Sequence, residues 1–236
     1  SIMVSLDATG QAVITAADID NGSSDTNGIA TLELDITTFD CSNVGENTVT
    51  LTVTDTYGNI SECTAIVTII DDLAPILACQ SIVVSLDVNG MAIIDSMLLL
   101  DMTNTSDNCG IETVGSSVTM VDCTAIDTPV EVTVFVEDIN GNIATCTTTI
   151  SALDELPPVF DTTTLPVDQS KLTDESGVYL LEDFTTSILA EDNCTAAVTL
   201  AQSPNVATSL VPGVYDITIS ATDAFSNETE YSFELT

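Results

Sequence analysis

The chain of 236 residues contains 37 aspartates and glutamates, a single lysine and no histidine, which gives a formal net charge of −36. A protein this acidic cannot neutralise phosphate groups, so nucleic-acid binding and attraction to anionic lipid are excluded. The lack of histidine also excludes Ser-His-Asp and Cys-His catalysis and His-based zinc sites, and no nucleotide-binding glycine motif is present.

The residue types predict β-strands. Hydrophobic residues make up 44% of the sequence, enough for a folded core. No apolar run approaches the roughly 18 residues that a membrane span needs, so no membrane insertion is predicted. Val, Ile and Thr are abundant, and Gly, Asn and Asp interrupt them at short intervals, as is typical of strands and turns. The stretch from Met97 to Leu100 is ambiguous and fits one helical turn.

The clearest strand in chain order covers residues 49–54, where Val49, Leu51 and Val53 alternate with threonines. A period of two indicates a strand with one buried face. Turns are predicted at residues 85–90 and 138–142. Short strands separated by turns every 8 to 12 residues or so predict an all-β chain of antiparallel two-sheet sandwiches, immunoglobulin-like in outline.

An internal repeat organises the chain. Residues 49–59 reappear at 132–142 and, more weakly, at 217–227, which places Asp55, Asp138 and Asp223 at intervals of 83 and 85 residues. Other pairs of segments keep the same order: 5–10 with 85–90, 24–29 with 106–111, and 71–75 with 154–158. We therefore predict three tandem modules, residues 1–72, 73–155 and 156–236, of which the first lacks its opening strand residues.

One motif set carries a resemblance to a known family. Asp107-Asn108-Cys109-Gly110 is followed by an alternating strand that ends at Asp138, then by Gly141-Asn142 and Cys146. This pattern resembles the hyalin repeat, and it is similar to tandem repeats of very large surface adhesins in gliding and biofilm-forming bacteria. The third module keeps only the skeleton, with Ser226 in place of Gly and Tyr231 in place of the second cysteine. The resemblance implies immunoglobulin-like sandwiches arranged end to end outside the cell, in adhesion rather than catalysis.

The cysteines indicate disulfides. Cys41 and Cys63 correspond to Cys123 and Cys146, and the third module lacks both positions. Joint presence and joint absence predict the bonds Cys41–Cys63 and Cys123–Cys146. Free buried thiols or a metal site are the alternatives, but the spacing does not match zinc ligation and no histidine is available.

The remaining three cysteines are Cys79, Cys109 and Cys194. Cys79 begins the second module and Cys109 lies in its Asp-Asn-Cys-Gly loop, so we predict a bond between them. The position expected for a partner of Cys194 is not a cysteine, so Cys194 is predicted to be a free, partly buried thiol, with an intermolecular bond as the alternative. Disulfides form in oxidising compartments, which predicts an extracellular, cell-surface location.

The acidic motifs predict calcium at the module junctions. In an immunoglobulin-like sandwich, the loop carrying Asp-Asn-Cys and the last hairpin turn lie at the end that meets the preceding module. Carboxylates 4 Å apart repel by about 4 kcal/mol at an effective dielectric near 20, and Ca²⁺ is bound by 6 to 8 oxygens. The predicted ligands are Asp71, Asp72, Asp107, Asn108 and Asp138 at one junction, Asp154, Glu155, Asp192, Asn193 and Asp223 at the next, and Asp25 and Asp55 ahead of the first module.

Alternatives to calcium stay open for each motif. The aspartate of Asp-x-x-Gly-Asn can accept hydrogen bonds from its own turn, where glycine permits a positive φ. The aspartate of Asp-Asn-Cys-Gly can bridge the backbone of its own loop. The acidic linkers can simply be solvated, with their mutual repulsion reduced by water.

These features together predict a structural and adhesive protein: a stalk segment of a secreted surface adhesin, stiffened by calcium. Its partners are neighbouring repeats of the same chain, with a surface glycan or protein as candidate ligand. No enzymatic activity is expected, because small repeated modules offer no deep cleft. A carbohydrate-binding or spacer module of an extracellular enzyme is the alternative, although aromatic residues are only 4% of the chain and tryptophan is absent.

Overall fold

The computed structural model describes residues 1–236 and consists mainly of strands, so the all-β prediction is confirmed. Its strands are β1 (Ile2–Ser5), β2 (Gln11–Val13), β3 (Ile29–Leu34), β4 (Thr38–Asp40), β5 (Gly45–Asp55), β6 (Ile60–Ile70), β7 (Ile82–Ser85), β8 (Met91–Ile93), β9 (Ile111–Ser116), β10 (Met120–Asp122), β11 (Val130–Asp138), β12 (Ile143–Leu153), β13 (Val159–Phe160), β14 (Tyr179–Leu180), β15 (Ala190–Glu191), β16 (Thr199–Ser203), β17 (Ser209–Leu210), β18 (Tyr215–Thr222) and β19 (Glu228–Leu235).

The helices are single turns. They are α1 (Ala16–Ile19), α2 (Thr124–Asp127) and three 3₁₀ turns at Cys41–Asn43, Ser96–Leu99 and Thr185–Ser187. The turn at Ser96–Leu99 confirms the helical turn predicted near Met97. None of these helices is long and apolar enough to cross a membrane.

Residues 1–72 form a two-sheet sandwich. A four-stranded sheet has the order β1-β6-β5-β3, and β2 pairs with β4 in a second sheet. Val49, Val67 and Ile69 of the larger sheet pack with Ala12 and Phe39 of the smaller one in a single core. The pairing is antiparallel except between β1 and β6, which run parallel, an arrangement that the sequence analysis did not predict.

The strands of the other two sequence repeats pair in a similar way. In residues 73–155, β9 pairs antiparallel with β11, β8 pairs antiparallel with β10, and β7 pairs parallel with β12. In residues 156–236, the main sheet has the order β16-β18-β19, and β14 pairs with β17. Leu181, Leu210, Ile217 and Phe233 are core residues of this last sandwich. Antiparallel sandwiches are therefore present as predicted.

By density of contacts, the chain divides into two compact units. One unit contains Ser1–Ser81, Asp95–Val118 and Glu131–Thr148, and the other contains Ile82–Ile94, Thr119–Val130 and Thr149–Thr236. The division into modules at residues 1–72, 73–155 and 156–236 rests on the sequence repeat and stays a prediction.

All three predicted disulfide pairings are wrong. The bonds are Cys41–Cys109, Cys79–Cys146 and Cys123–Cys194, each joining cysteines 67 to 71 residues apart. Cys194, predicted to be free, is therefore bonded, and the free thiol is Cys63, which is exposed. The prediction of disulfides as such is confirmed.

Strand register explains why Cys41 cannot bond Cys63. Cys41 precedes β5, whose first residue, Gly45, lies opposite Ile69. Cys63 lies six residues from Ile69 along β6, roughly 20 Å away at about 3.3 Å per residue. A disulfide requires Cα atoms within about 7 Å of each other. Cys79 and Cys109 are likewise separated, because they lie on opposite sides of the bridge between Ile76 and Ser106.

Candidate metal centres

The first cluster of carboxylates is formed by Asp71, Asp107 and Asp138. Asp71 follows β6 directly, Asp107 lies in the loop before β9, and Asp138 ends β11. One carboxylate oxygen of each lies within 4.8 Å of those of the other two. Asp138 is fully buried and Asp71 is only 8% exposed. The fold thus brings together three residues that the sequence analysis assigned to one site.

The second cluster repeats this arrangement with Asp154, Asp192 and Asp223. Asp154 follows β12, Asp192 follows β15 and Asp223 follows β18. Their carboxylate oxygens also lie within 4.8 Å of one another, and Asp154 and Asp223 are each 7% exposed. Three carboxylates are therefore gathered, largely away from water, in each compact unit.

The hairpin aspartates are held by their own turns. Oδ1 of Asp138 accepts hydrogen bonds from the backbone N–H of Asn140 at 2.8 Å and of Asn142 at 2.9 Å, and Oδ2 accepts from Nδ2 of Asn142 at 2.8 Å. Asp223 is held in the same way by Phe225 and Asn227. These are the turn hydrogen bonds that the alternative to calcium predicted. These hydrogen bonds position each carboxylate, and the carboxylate oxygens keep further lone pairs for a ligand.

Those turn bonds also act on the pKa of Asp138. Burial works to raise this pKa, but the hydrogen bonds from Asn142 and Asn140 outweigh burial and hold the pKa of Asp138 below its ordinary value. Asp138 is consequently ionised although its side chain is buried.

The loop residues leave buried oxygens without a hydrogen-bond partner. Oδ1 of Asp107 accepts from the backbone N–H groups of Cys109 and Gly110, at 2.8 and 2.9 Å, whereas Oδ2 has no partner. The buried acceptors that lack partners in the two clusters are Asp107 Oδ2, Asn108 Oδ1, Asp154 Oδ2, Asp192 Oδ2 and Asn193 Oδ1.

Unpartnered buried oxygens are the observation that fits a cation. A buried acceptor without a donor costs about 1–3 kcal/mol. Carboxylate and amide oxygens are also the ligand type that Ca²⁺ prefers. The residues present therefore fit a hard divalent cation, with Asp71, Asp107, Asn108 and Asp138 at one site and Asp154, Asp192, Asn193 and Asp223 at the other.

Asp154 shows the electrostatic cost of the second cluster. Burial raises the pKa of Asp154 above its ordinary value, and the charges of Asp192 and Asp223 raise it further. The hydrogen bond from the backbone N–H of Leu156 opposes this shift only in part. The second cluster therefore favours a bound positive charge or a proton.

Four predicted ligands lie outside the two clusters. Asp72 is exposed and accepts a hydrogen bond from Ser5, and Glu155 is exposed and accepts one from Ser85. Asp25 and Asp55 line one shallow cavity, but no third carboxylate joins them. Hydrogen bonds from Asn59 lower the pKa of Asp55, as the turn alternative predicts.

The sequence analysis missed the asparagines that connect each turn to its linker. Nδ2 of Asn142 donates to the backbone carbonyl of Asp71 at 3.1 Å, and Nδ2 of Asn227 donates to that of Asp154 at 3.0 Å. Nδ2 of Asn140 donates to Oδ2 of Asp71 at 2.8 Å. The signal was present, because Asp-x-x-Gly-Asn repeats with its final asparagine at residues 59 and 142, and Asn227 keeps that place.

A turn glycine allows each Asp-Asn-Cys loop to approach. Gly10 has a φ of +72°, and a Cβ atom there would lie 2.6 Å from the carbonyl oxygen of Asn108. Gly90 has a φ of +69°, and a Cβ atom there would lie 2.7 Å from the carbonyl oxygen of Asn193. Both positions need glycine for the turn and for the close approach. The disulfides to Cys109 and Cys194 then anchor these loops.

No protein-family model and no curated protein matches the chain. Among solved structures, the protocadherin gamma B4 extracellular domain aligns at 16% identity and a TM-score of 0.38, over 99% of this chain and 47% of that chain. Human CDH23 EC21-23 aligns at 15% identity and a TM-score of 0.35, over 80% of this chain and 73% of that chain. Similarity this low carries no conclusion about ligands or partners. The resemblance to hyalin repeats and bacterial adhesins stays a prediction.

Proposed function

We propose that this chain is a structural and adhesive segment of an extracellular, surface-exposed protein, and that Ca²⁺ bound at the two carboxylate clusters stiffens it. The observation that carries the proposal is the set of five buried oxygens without hydrogen-bond donors, all within the two clusters. Water or protein donors would otherwise satisfy such groups, and a cation satisfies them together.

Calcium would act by joining segments that are far apart in sequence. At the first cluster it would link the linker residue Asp71 to the loop residue Asp107 and the turn residue Asp138. The second cluster would link Asp154 to Asp192 and Asp223 in the same way. In the absence of a cation these carboxylates repel, and the linkers can move away from the loops. Cation binding replaces repulsion with shared coordination.

Two further features support an extracellular role. Three disulfides in one chain favour an oxidising compartment. A net charge of −36 keeps a protein soluble and suppresses non-specific association. In its specific form, the proposal is that the chain is part of a stalk in a bacterial surface adhesin. Its partners would be neighbouring repeats, and it would have no catalytic role.

The test is calorimetry and small-angle scattering of the full chain in Ca²⁺ and in EDTA. Saturation at 100 times the dissociation constant stabilises a protein by about 2.7 kcal/mol per site, so we expect a higher Tm in Ca²⁺. The distribution of interatomic distances from small-angle scattering should also be narrower in Ca²⁺ than in EDTA. The double variant Asp138→Asn, Asp223→Asn is the control and should lose both responses. Identical melting and scattering in Ca²⁺ and EDTA would contradict the proposal.

A second candidate function, the binding of a glycan or another small ligand, is favoured by one cavity. It has a volume of about 470 Å³ and is lined by Lys171, Tyr179, Leu210 and Tyr215, among others. The hydroxyl of Tyr179 is buried there without a partner. A glycan array probed with the wild-type chain and with Tyr215→Ala tests this function, and binding that survives the substitution would place the ligand elsewhere.

A further inference from the structure

We propose that the two clusters differ in calcium affinity, the second binding Ca²⁺ about tenfold more tightly, and that the residue two positions after the turn aspartate sets the difference. That residue is Asn140 in the first cluster and Phe225 in the second. The inference rests on the proposed function, because it concerns the same two sites.

In the first cluster, amide groups already donate hydrogen bonds to the linker aspartate. Oδ1 of Asp71 accepts from Nδ2 of Asn108 at 3.0 Å, and Oδ2 accepts from Nδ2 of Asn140 at 2.8 Å. Both carboxylate oxygens of the linker aspartate are therefore satisfied without a metal ion. Asn142 adds a third amide, which donates to the backbone carbonyl of Asp71. The linker aspartate of this cluster is therefore satisfied without a cation, whereas Oδ2 of Asp107 and Oδ1 of Asn108 have no partner.

In the second cluster, the linker carboxylate lacks these donors. Oδ2 of Asp154 is buried without any partner, and Oδ1 accepts only a long bond of 3.3 Å from the backbone N–H of Leu156. The amide of Asn193 donates to the backbone carbonyl of Asp87 at 3.0 Å. Asp154 is 93% buried, since its exposed fraction is 7%. An unpartnered, buried carboxylate oxygen thus points to a missing cation.

One of the two donors that Asp154 lacks is explained by a difference in sequence. Asn140 and Phe225 occupy equivalent places in their turns, and the backbone N–H of each donates to the turn aspartate at 2.8 Å. Phe225 has no side-chain donor, and the residue is 37% exposed. A cation at the first cluster competes with the amide of Asn140 for the lone pairs of Oδ2 of Asp71. At the second cluster there is no such competing bond, so more of the binding energy appears as affinity.

A reciprocal exchange of these residues tests the inference. Calcium binding to the full chain would be measured by titration calorimetry. The substitution Asp154→Asn disables the second site, so that the first site is measured alone. The substitution Asp71→Asn disables the first site, so that the second is measured alone. We expect Asn140→Phe to tighten the first site about tenfold and Phe225→Asn to weaken the second by a similar factor. Tyr57→Asn changes the equivalent residue of the first repeat, which has no cluster, and should alter neither affinity.

The possible outcomes separate the inference from the proposed function. No heat of calcium binding in the wild-type chain would contradict the proposed function itself. Two sites of equal affinity would overturn only the inference. A weaker first site in Asn140→Phe would also overturn it, because Asn140 would then be a calcium ligand through its amide oxygen. Phe225→Asn changes a partly exposed side chain and keeps the test decisive if Asn140→Phe does not fold.

Discussion

Cys109 is bonded to Cys41, a residue that precedes it by 68 positions. The bond attaches the loop that carries Asp107 and Asn108 to the part of the chain that precedes Asp71. The sulfur of Cys41 lies 3.4 Å from the backbone carbonyl of Asn108, next to the first cluster. The position of a candidate calcium ligand therefore depends on a disulfide.

Removing this bond should weaken both the fold and the first calcium site. We expect the double variant Cys41→Ala, Cys109→Ala to lower the free energy of unfolding by about 2–5 kcal/mol, as loss of a native disulfide commonly does. Its first site should bind calcium more weakly, because the loop is no longer held near Asp71. Urea unfolding and calcium titration measure the two effects. Cys63→Ala is the control, since Cys63 is a free, exposed thiol and its removal should change neither quantity.

The close approach of the same loop predicts a difference between two turn glycines. Gly10 and Gly177 have φ values of +72° and +76°, so alanine strains both turns by a similar amount. Only at Gly10 would the new Cβ meet a neighbour, the carbonyl oxygen of Asn108 at 2.6 Å, whereas nothing lies within 4 Å at Gly177.

We expect Gly10→Ala to destabilise the chain by about 1–3 kcal/mol more than Gly177→Ala does, because overpacking adds to the shared backbone strain. Chemical denaturation of the two variants measures this difference. Equal losses of stability would show that the Asn108 loop can move away at little cost, and would contradict the tight contact.

Asn142 connects its turn to the linker and is expected to be a strong contributor to stability. Its Nδ2 donates both to Oδ2 of Asp138 and to the backbone carbonyl of Asp71. Asn59 is the equivalent residue of the first repeat, and its Nδ2 donates only to Asp55 within its own turn. Loss of hydrogen bonds to a buried charged group costs about 1.5–3 kcal/mol. Asn142→Ala should therefore lower the free energy of unfolding by more than Asn59→Ala, as urea titration would measure. A larger effect at Asn59 would be inconsistent with a linking role for Asn142.

The repeat predicted the fold and most of the acidic site because it aligned residues with equivalent places in similar sandwiches. Asp107 and Asp192, for example, share a loop position, and each joins one cluster. Only one of the two acidic residues in each linker joins a cluster, for a physical reason. Successive residues of an extended segment point to opposite sides. Asp71 and Asp154 point into the clusters, so Asp72 and Glu155 point to solvent.

Two disulfides, Cys41–Cys109 and Cys123–Cys194, were missed because bonds were sought only within one module. Cys79–Cys146 lies within residues 73–155 and was missed because Cys146 was assigned to Cys123. Cys109 and Cys194 occupy equivalent loop positions and should have equivalent partners, yet the sequence analysis paired one and left the other free. Their partners are Cys41 and Cys123, which also occupy equivalent positions in the repeat. The register that separates Cys41 from Cys63 is not visible in residue spacing alone.

Neutralising Asp154 should have opposite effects with and without calcium. In EDTA, Asp154→Asn removes a buried charge that is repelled by Asp192 and Asp223, so we expect Tm to rise by about 2–4 °C. In saturating Ca²⁺ the variant loses a ligand, and its Tm should fall below that of the wild-type chain. Differential scanning calorimetry in both buffers measures the crossing. A variant that is less stable than the wild type in both buffers would contradict the repulsion.

The same carboxylate predicts how stability depends on pH in EDTA. Burial raises the folded-state pKa of Asp154 above its unfolded value of about 3.9, so its contribution to stability is complete below pH 4 or so and is lost as the pH rises through the folded pKa. The pH dependence that Asp138 contributes has the opposite sign. The pKa of Asp138 is lowered in the folded chain, so its contribution to stability is lost as the pH falls. Subtracting the free energy of unfolding of Asp154→Asn from that of the wild type isolates the first effect. We expect this difference to have its highest value at low pH and to become more negative as the pH rises to 7. A difference that stays constant over this range would mean that Asp154 has no raised pKa in the folded chain, and that the second cluster has no unmet demand for positive charge.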